Sequence, residues 1–166
     1  RYCLEYTLAV VKQSGLDYQL FISEASDDPL FQHEDCSLQK GEDLGARMLH
    51  AFQELLNRGS HGALIIGTDC LDITSLHLQE AARSLADHEL VLIPAFDGGY
   101  TLIGCTAIDP SLFDRLRWST DQVYQQTMTN ARRLNYRTRS LEPIRDIDSL
   151  QDLEHYPELL ALITSS

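Results

Sequence analysis

Apolar segments of strand length alternate with amphipathic helical segments along this sequence. The segment GALIIGTD, residues 62–69, stays apolar until its polar end, which is typical of a strand that is covered on both faces of a sheet. The segment 43–59 instead repeats its apolar residues with the period of a helix and closes at a glycine. Such alternation is typical of a sheet between helical layers. We therefore predict an α/β protein, a three-layer sandwich with a mostly parallel sheet.

The same criteria assign the other elements. The predicted strands are 18–25, 62–69, 89–96 and 100–105, with a short strand at 37–41 and an extended segment at 136–146. The predicted helices are 1–15, 43–59, 74–88, 110–116, 119–135 and 149–164. In the helix at 43–59 one face carries Leu44, Met48, Ala51, Phe52 and Leu55. No repeat, low-complexity segment or linker is visible, so we predict a single domain over 1–166.

The charge balance limits the partners of this chain. Its formal net charge is −12, with 13 Lys and Arg residues against 25 Asp and Glu residues. Binding to nucleic acid or to an anionic membrane surface requires clustered basic residues, so neither is an expected partner. A phosphate-bearing small molecule requires local positive charge, which a divalent metal, a helix N-terminus or a well-placed arginine can supply.

The sequence also favours a reduced, membrane-free compartment. No apolar run approaches the roughly 18 residues that a membrane-spanning helix needs, so we expect no membrane insertion. The four cysteines are widely spaced and form no C-x-x-C pair, which indicates reduced thiols, mostly buried. No signal peptide is visible, and the cytoplasm is the expected location. The sequence leaves the oligomeric state open, a homo-oligomer included.

Two acidic residues follow predicted strands and are candidates for a site. Asp69 ends the strand at 62–69, and Asp97 follows the strand at 89–96. Ligands of open α/β sheets bind beyond the carboxyl ends of strands, where two carboxylates can share a magnesium ion with substrate phosphates. Each residue has a structural alternative. Asp69 stands before a helix, although Thr74 is the better cap, and the Asp-Gly-Gly sequence at Asp97 also suits a turn.

Five motifs in order carry a resemblance to a known family. They are GEDLGARM (41–48), GTDC (67–70), PAFDGGYTLIG (94–104), WST (118–120) and DIDSLQDL (146–153). The set resembles an uncharacterised bacterial, glycosyltransferase-like family of the nucleotide-diphospho-sugar transferase superfamily, which has the GT-A fold. It is also similar to the molybdenum-cofactor and phospholactate guanylyltransferases. The resemblance covers nearly the whole chain and implies the GT-A fold and a nucleotide-derived substrate.

The resemblance also implies roles for individual residues. It places a nucleotide against Gly41, Glu42, Asp43, Leu44, Arg47, Thr68 and Asp69. It places an acceptor or sugar against Asp97, Gly98, Gly99, Tyr100, Trp118, Ser119 and Thr120. It assigns Mg²⁺ or Mn²⁺ to Asp69, Asp146 and Asp148. We expect Asp97 to be the catalytic residue, either orienting an acceptor hydroxyl or acting as its general base.

Several of these residues have alternative structural roles. Asp43 suits the cap of the helix that follows it, and Arg47 would then be a solvated helix residue. Ser119 and Gln122 fit a capping box at the start of the helix at 119–135. Trp118 suits core packing as well as stacking on a base or sugar. Asp148 or Ser149 suits the cap of the last predicted helix.

The sequence departs from the family pattern in three places. The family normally opens with a strand and a basic loop of the form G-x-x-K-T-R-L, which this sequence does not contain. We therefore expect the domain to lack that strand and its phosphate-binding loop. Leu71 replaces the usual proline after G-T-D-C, and the closing motif reads D-I-D-S-L-Q-D-L instead of D-I-D-T-P-E-D-L.

Three functions fit these observations. The leading hypothesis is a metal-dependent transferase that uses a nucleotide sugar and a small-molecule acceptor. The second is a nucleotidyltransferase that acts on a nucleoside triphosphate and a phosphorylated acceptor. The third is a catalytically silent binding protein that has the same fold.

Overall fold

A computed structural model describes residues 1–146 and 155–156. Its α-helices are α1 (Tyr2–Ser14), α2 (Leu44–Asn57), α3 (Ser75–Ser84) and α4 (Val123–Arg133). Its strands are β1 (Leu20–Ile22), β2 (Cys36–Leu38), β3 (Ala63–Ile66), β4 (Leu90–Pro94), β5 (Tyr100–Cys105) and β6 (Thr138–Ser140). Short 3-10 helices occupy Pro29–Phe31 and Pro110–Phe113. The helix predicted at 149–164 lies outside the described residues, apart from 155 and 156.

The strands of the described residues form two sheets. The larger sheet has the order β3-β5-β4-β6, and β1 pairs in parallel with β2 in a separate two-stranded sheet. In the larger sheet β4 is parallel to β6, and β5 is antiparallel to both β3 and β4. Three of its four strands therefore run in one direction, with β5 reversed between two of them.

Helices cover both faces of the larger sheet, which gives the three predicted layers. Val91 and Ile93 of β4 face one hydrophobic cluster, which contains Val10 of α1 and Leu78 of α3. Leu90 and Leu92 of the same strand face a second cluster, formed with Met48, Phe52 and Ala131 of α2 and α4. Successive residues of a strand point to opposite faces, so a continuously apolar β4 can fill both clusters.

The reversal of β5 follows from the short connection that precedes it. Residues 95–99 join β4 to β5, and Ala95 donates its N–H to the carbonyl oxygen of Gly99 at 3.1 Å. A connection of this length allows only antiparallel pairing, because a parallel partner needs a crossover of a dozen or more residues. The glycines of the D-G-G motif therefore belong to a hairpin.

Helix caps fix where two of the helices begin. The Asp43 carboxylate accepts a hydrogen bond from the N–H of Ala46 at 2.7 Å, so the capping alternative for Asp43 is confirmed. Thr74 caps α3 as predicted, and His77 completes a reciprocal capping box with it. Both caps leave the N-terminus of a helix at a strand–helix turn.

Two predictions about helices are wrong. Ser119 and Gln122 form no capping box, because Ser119 has a φ of 59° and α4 begins only at Val123. A left-handed residue cannot hold the extended backbone that an N-cap side chain needs. Leu44 does not share the buried face of α2: its side chain is 53% exposed, since it starts the helix beyond the edge of the core.

The described residues include all four cysteines, and two of the four thiols are buried as expected. All four cysteines are free thiols; Cys70 and Cys105 are buried, and Cys3 and Cys36 are half-buried. Among the described residues, no helix combines the length and the apolar character needed to cross a membrane.

Gly98 provides a test of the hairpin. Its φ is +93°, and a Cβ atom there would lie 2.2 Å from the carbonyl oxygen of Asp121. We expect Gly98→Ala to lower the free energy of unfolding by about 2 kcal/mol or more, because it adds backbone strain to a collision with rigid main chain. Urea denaturation measures this loss.

Gly59→Ala is the matched control for that variant. Gly59 has a similar φ of +97°, but nothing lies within 4 Å of its Cβ position. It should lose only the strain of the left-handed backbone, about 1 kcal/mol. Equal losses in the two variants would contradict the close approach of Gly98 to Asp121.

Candidate active site

Five loops meet at one edge of the larger sheet, where β3, β4 and β6 end. We call them the carboxyl-edge loops: residues 41–47, 67–70, 95–99, 118–121 and 144–146. The loops 67–70, 95–99 and 144–146 follow or lie beyond the carboxyl ends of these three strands. Helix α2 precedes β3 and packs against the sheet, and its N-terminal loop meets the others at the same edge.

A buried thiol joins the loop of Asp69 to the loop of Asp146. The Sγ atom of Cys70 donates a hydrogen bond to the carbonyl oxygen of Arg145 at 3.0 Å. Burial raises the pKa of this thiol to about 11, and the negative charges of Asp72 and Asp146 add to the effect. The thiol therefore stays protonated at neutral pH and can donate. This contact holds two acid-bearing loops side by side.

The exposed carboxylate of Asp69 lies against Gly67. A Cβ atom at Gly67 would come within 2.5 Å of the Oδ1 atom of Asp69. The first residue of the G-T-D-C motif must therefore be small if the carboxylate is to keep this position. Thr68 and Asp69 are both exposed, whereas the next residue, Cys70, is buried and holds the end of the loop in the core.

Asp97 lies in the hairpin between β4 and β5, with one of its oxygens committed to the turn. Its Oδ1 atom accepts a hydrogen bond from the N–H of Gly99 at 2.8 Å, so the turn interpretation of D-G-G is correct. Asp97 is exposed, and it stands next to Phe96 on the same loop. The carboxylate is therefore both a turn former and accessible from solvent.

The D-G-G hairpin packs against the loop at 118–121 and against the first turn of α4. Gly98 contacts the backbone of Asp121, and its carbonyl oxygen accepts a hydrogen bond from the N–H of Tyr124 at 2.9 Å. On the other side, Ile144 donates its N–H to the carbonyl oxygen of Pro94 at 3.0 Å. The hairpin thus links the loop at 118–121 to the loop at 144–146.

Trp118 connects this group to the N-terminus of α2. Its indole packs against Gly45, where a Cβ atom would lie 2.8 Å from Cζ2, and against the ring of Phe113 at a centroid distance of 6.2 Å. The core-packing interpretation of Trp118 is therefore correct, and the contact brings the W-S-T motif to the G-E-D-L-G motif. Arg47 donates from Nε to the carbonyl oxygen of Gly41 at 3.3 Å.

The structure exposes most of the predicted site residues and buries a few. The exposed ones are Gly41, Glu42, Asp43, Leu44, Arg47, Thr68, Asp69, Asp97, Ser119 and Thr120. Gly98, Gly99, Trp118 and Asp146 are half-buried. The hydroxyl of Tyr100 is buried in the core next to Thr127, and burial raises its pKa. The predicted substrate contacts of these residues remain predictions.

The described residues contain no group of three Asp, Glu, His or Cys side chains that could hold a metal ion. Asp69 and Asp146 lie on adjoining loops, and Asp97 lies on the loop beyond them. Asp148, the third predicted ligand, lies outside the described residues. Any metal held by the described residues would therefore need ligands from its substrate or from water.

Sequence reasoning missed three residues at this edge. The sequence pattern places Phe96 in a strand, yet its side chain is 65% exposed, and the guanidinium of Arg145 lies 5.5 Å above its ring centroid. The sequence indicates only a buried thiol at Cys70, whereas its Sγ atom hydrogen-bonds to the backbone of Arg145. The position of Arg145, next to the D-I-D motif, was the one available signal; the other contacts join residues far apart in sequence.

Comparison with known proteins identifies the type of fold. Residues 7–120 match the model of a family described as "Uncharacterized protein conserved in bacteria (DUF2064)". A solved protein from Desulfovibrio desulfuricans G20, assigned to the nucleotide-diphospho-sugar transferases, has 29% sequence identity and a TM-score of 0.78. The alignment covers 89% of this chain and 68% of that one. The sequence matches none of the curated proteins to which it was compared.

A second solved structure shares the fold at lower identity. It is a 4-diphosphocytidyl-2C-methyl-D-erythritol synthase, with 12% identity, a TM-score of 0.58, and coverage of 95% of this chain and 88% of that one. Together these similarities confirm the predicted α/β fold of the nucleotide-diphospho-sugar transferase type, the GT-A fold. They also confirm the family resemblance that the motifs indicated.

The contact between Gly45 and Trp118 can be tested directly, because Trp118 is the only tryptophan. In Gly45→Ala the new methyl group would collide with the indole at 2.8 Å. We expect the displaced indole to shift its fluorescence emission to longer wavelength. The overpacking should outweigh the gain in helix propensity and cost about 1 kcal/mol net.

Gly59→Ala, beyond the other end of α2, is the control and should leave the emission spectrum unchanged. A Gly45→Ala protein with the wild-type emission spectrum and a raised melting temperature would disprove the contact, because the methyl group would then have found free space.

Proposed function

The chain belongs to the DUF2064 family of bacterial proteins, and we propose that it is a transferase that uses a nucleotide-diphospho-sugar as its donor. The observation that carries the proposal is the convergence of the Asp69, Asp97 and Asp146 loops at one edge of a GT-A-type sheet. Ligands of open α/β sheets bind at this edge. The D. desulfuricans structure, which bears the name of such a transferase, supports the choice of donor.

The donor set at this edge fits a hard divalent cation. Asp69 and Asp146 offer carboxylate oxygens from loops that the Cys70–Arg145 hydrogen bond holds together. Mg²⁺ is typically held by one or two carboxylates together with substrate phosphates and water, so a protein cage of three ligands is not required. When bound, Mg²⁺ or Mn²⁺ would neutralise negative charge on the leaving nucleoside diphosphate.

We assign Asp97 to the acceptor side of the site. Its Oδ1 atom is fixed by the N–H of Gly99, which orients the carboxylate without burying it. The second oxygen can then accept a hydrogen bond from an acceptor hydroxyl and take its proton as that hydroxyl attacks the sugar. The contacts of Gly98 with Asp121 and Tyr124 fix the position of the hairpin that carries this carboxylate.

The N-terminus of α2 is the proposed nucleotide side of the site. The exposed side chain of Leu44 offers an apolar surface for a base or ribose, and Arg47 offers positive charge at the same end of the helix. Asp43 caps the helix and holds the G-E-D-L-G turn in shape. In this arrangement the nucleotide lies toward α2 and the acceptor toward the D-G-G hairpin.

Asp69→Asn tests the donor site. In calorimetric titrations with a panel of nucleotide sugars and Mn²⁺, we expect wild type to bind at least one member. The variant should bind it at least about tenfold more weakly, since a charged ligand to the cation is lost. Asp87→Asn, an exposed acid beyond the far end of α3, is the matched control and should bind like wild type.

The same protein preparations separate the competing functions. The protein is mixed with a nucleoside triphosphate and a sugar phosphate to measure pyrophosphate release. If pyrophosphate is released and no nucleotide sugar binds, the result favours nucleotidyl transfer over glycosyl transfer. No binding of any nucleotide by wild type would favour the catalytically silent protein and end the enzyme proposal.

Asp97→Asn isolates the catalytic role of the carboxylate from its role in the turn. The amide oxygen of asparagine can accept the same hydrogen bond from Gly99, so the hairpin should survive. Once a donor and acceptor are identified, we expect kcat to fall at least about a hundredfold while the donor Kd stays unchanged. A variant with wild-type kcat would remove Asp97 from the chemistry.

A further inference from the structure

Arg145 is held at the sheet edge in a way that leaves its hydrogen-bond donors unused within the described residues. Its guanidinium lies over the exposed ring of Phe96, at 5.5 Å from the centroid, and makes no ion pair with a carboxylate of the described residues. A guanidinium that stacks on a ring is oriented by its flat face, while its N–H groups point outward from its edge.

The backbone of Arg145 is fixed as well as its side chain. Its carbonyl oxygen accepts the hydrogen bond from Cys70, and its neighbour Ile144 is bridged to Ala95 at the end of β4. The residue therefore sits between the loop that carries Asp69 and the loop that carries Asp97. A cation at this point faces the same edge as the acids of the proposed site.

The distribution of charge in the protein favours binding of an anionic ligand, rather than a protein carboxylate, by Arg145. The chain has a net charge of −12, and several of its other basic residues are engaged in ion pairs, such as Arg137 with Glu89 and Arg139 with Glu80. Glu142 and Asp146 lie near Arg145 in the sequence, and its guanidinium lies over the ring of Phe96. The edge of a guanidinium matches phosphate as well as carboxylate, since either accepts two parallel N–H···O bonds, and no carboxylate of the described residues takes that position on Arg145.

We propose that Arg145, oriented by Phe96, binds a phosphate group of the substrate at the carboxyl-edge loops, and that the diphosphate is the part of the nucleotide it recognises. This assignment rests on the proposed function for the identity of the whole substrate, but the phosphate contact itself can be tested alone. Arg145 is a binding residue in this account, and Phe96 is a positioning residue that acts through it.

The test compares Arg145→Gln with Arg83→Gln. Both variants remove one positive charge and keep much of the side-chain length, and Arg83 is exposed in the last turn of α3, at the opposite end of that helix from the sheet's carboxyl edge. Calorimetric titrations use inorganic pyrophosphate, CDP, GDP and UDP, each with Mg²⁺. We expect Arg145→Gln to weaken every diphosphate that wild type binds by at least about tenfold, and Arg83→Gln to stay within about twofold.

Phe96→Leu provides a second variant that keeps an apolar side chain on an exposed site. It removes the aromatic face but leaves the charge of Arg145, so we expect a smaller loss, about threefold, for the same diphosphates. Thermal unfolding of all variants checks that they are folded. If Arg145→Gln does not fold, the Phe96→Leu result decides the proposal, because wild-type affinity in that variant would overturn the stacking arrangement.

The outcomes separate this inference from the proposed function. Equal affinities in wild type and Arg145→Gln, or equal losses in Arg145→Gln and Arg83→Gln, overturn the role of Arg145 while nucleotide-sugar binding stands. Arg145-dependent binding of pyrophosphate without binding of any nucleotide supports the phosphate site and overturns the nucleotide-sugar proposal. Failure of wild type to bind pyrophosphate and all three nucleoside diphosphates overturns the phosphate contact, and the nucleotide-sugar titrations then decide the proposed function separately.

Discussion

Burial of β4 on both faces is the constraint on which the rest of the described structure depends. Leu90, Val91, Leu92 and Ile93 are all fully excluded from solvent, and they divide alternately between the two hydrophobic clusters. Each full burial of such a side chain contributes roughly 1.5–3 kcal/mol to folding. Because β4 also pairs with β5 and β6, its position sets the sheet edge at which the functional loops meet.

The candidate site is held together by close contacts in which at least one partner is a backbone atom. Gly98 contacts Asp121, Gly45 contacts Trp118, and the carbonyl oxygen of Arg145 accepts the Cys70 hydrogen bond. Each contact joins two loops that carry motifs distant in sequence. Glycine allows two of these approaches, since any larger residue would collide there. Thr68 and Asp69 at this edge can then stay exposed to solvent while the backbone of their loop is fixed.

Many of the local features could be predicted from the sequence because they depend on neighbouring residues. The Asp43 and Thr74 caps, the D-G-G turn and the apolar strands β3, β4 and β5 follow from residues within a few positions of each other. The capping box at Ser119 was wrong for the opposite reason. Helix α4 begins at Val123, and the N–H of Tyr124 in its first turn donates to the carbonyl oxygen of Gly98. The local sequence pattern does not predict this tertiary contact or this helix start.

The sequence by itself determined the α/β class, the layers and the identity of the acids at the strand ends, because burial and hydrogen bonding impose fixed periods on a chain. Only the tertiary structure decided that Trp118 meets Gly45, that Cys70 meets Arg145, and that Arg145 stacks on an exposed Phe96. These pairs are separated by tens of residues. Their contact depends on the order of strands in the sheet, which no local pattern of residue types encodes.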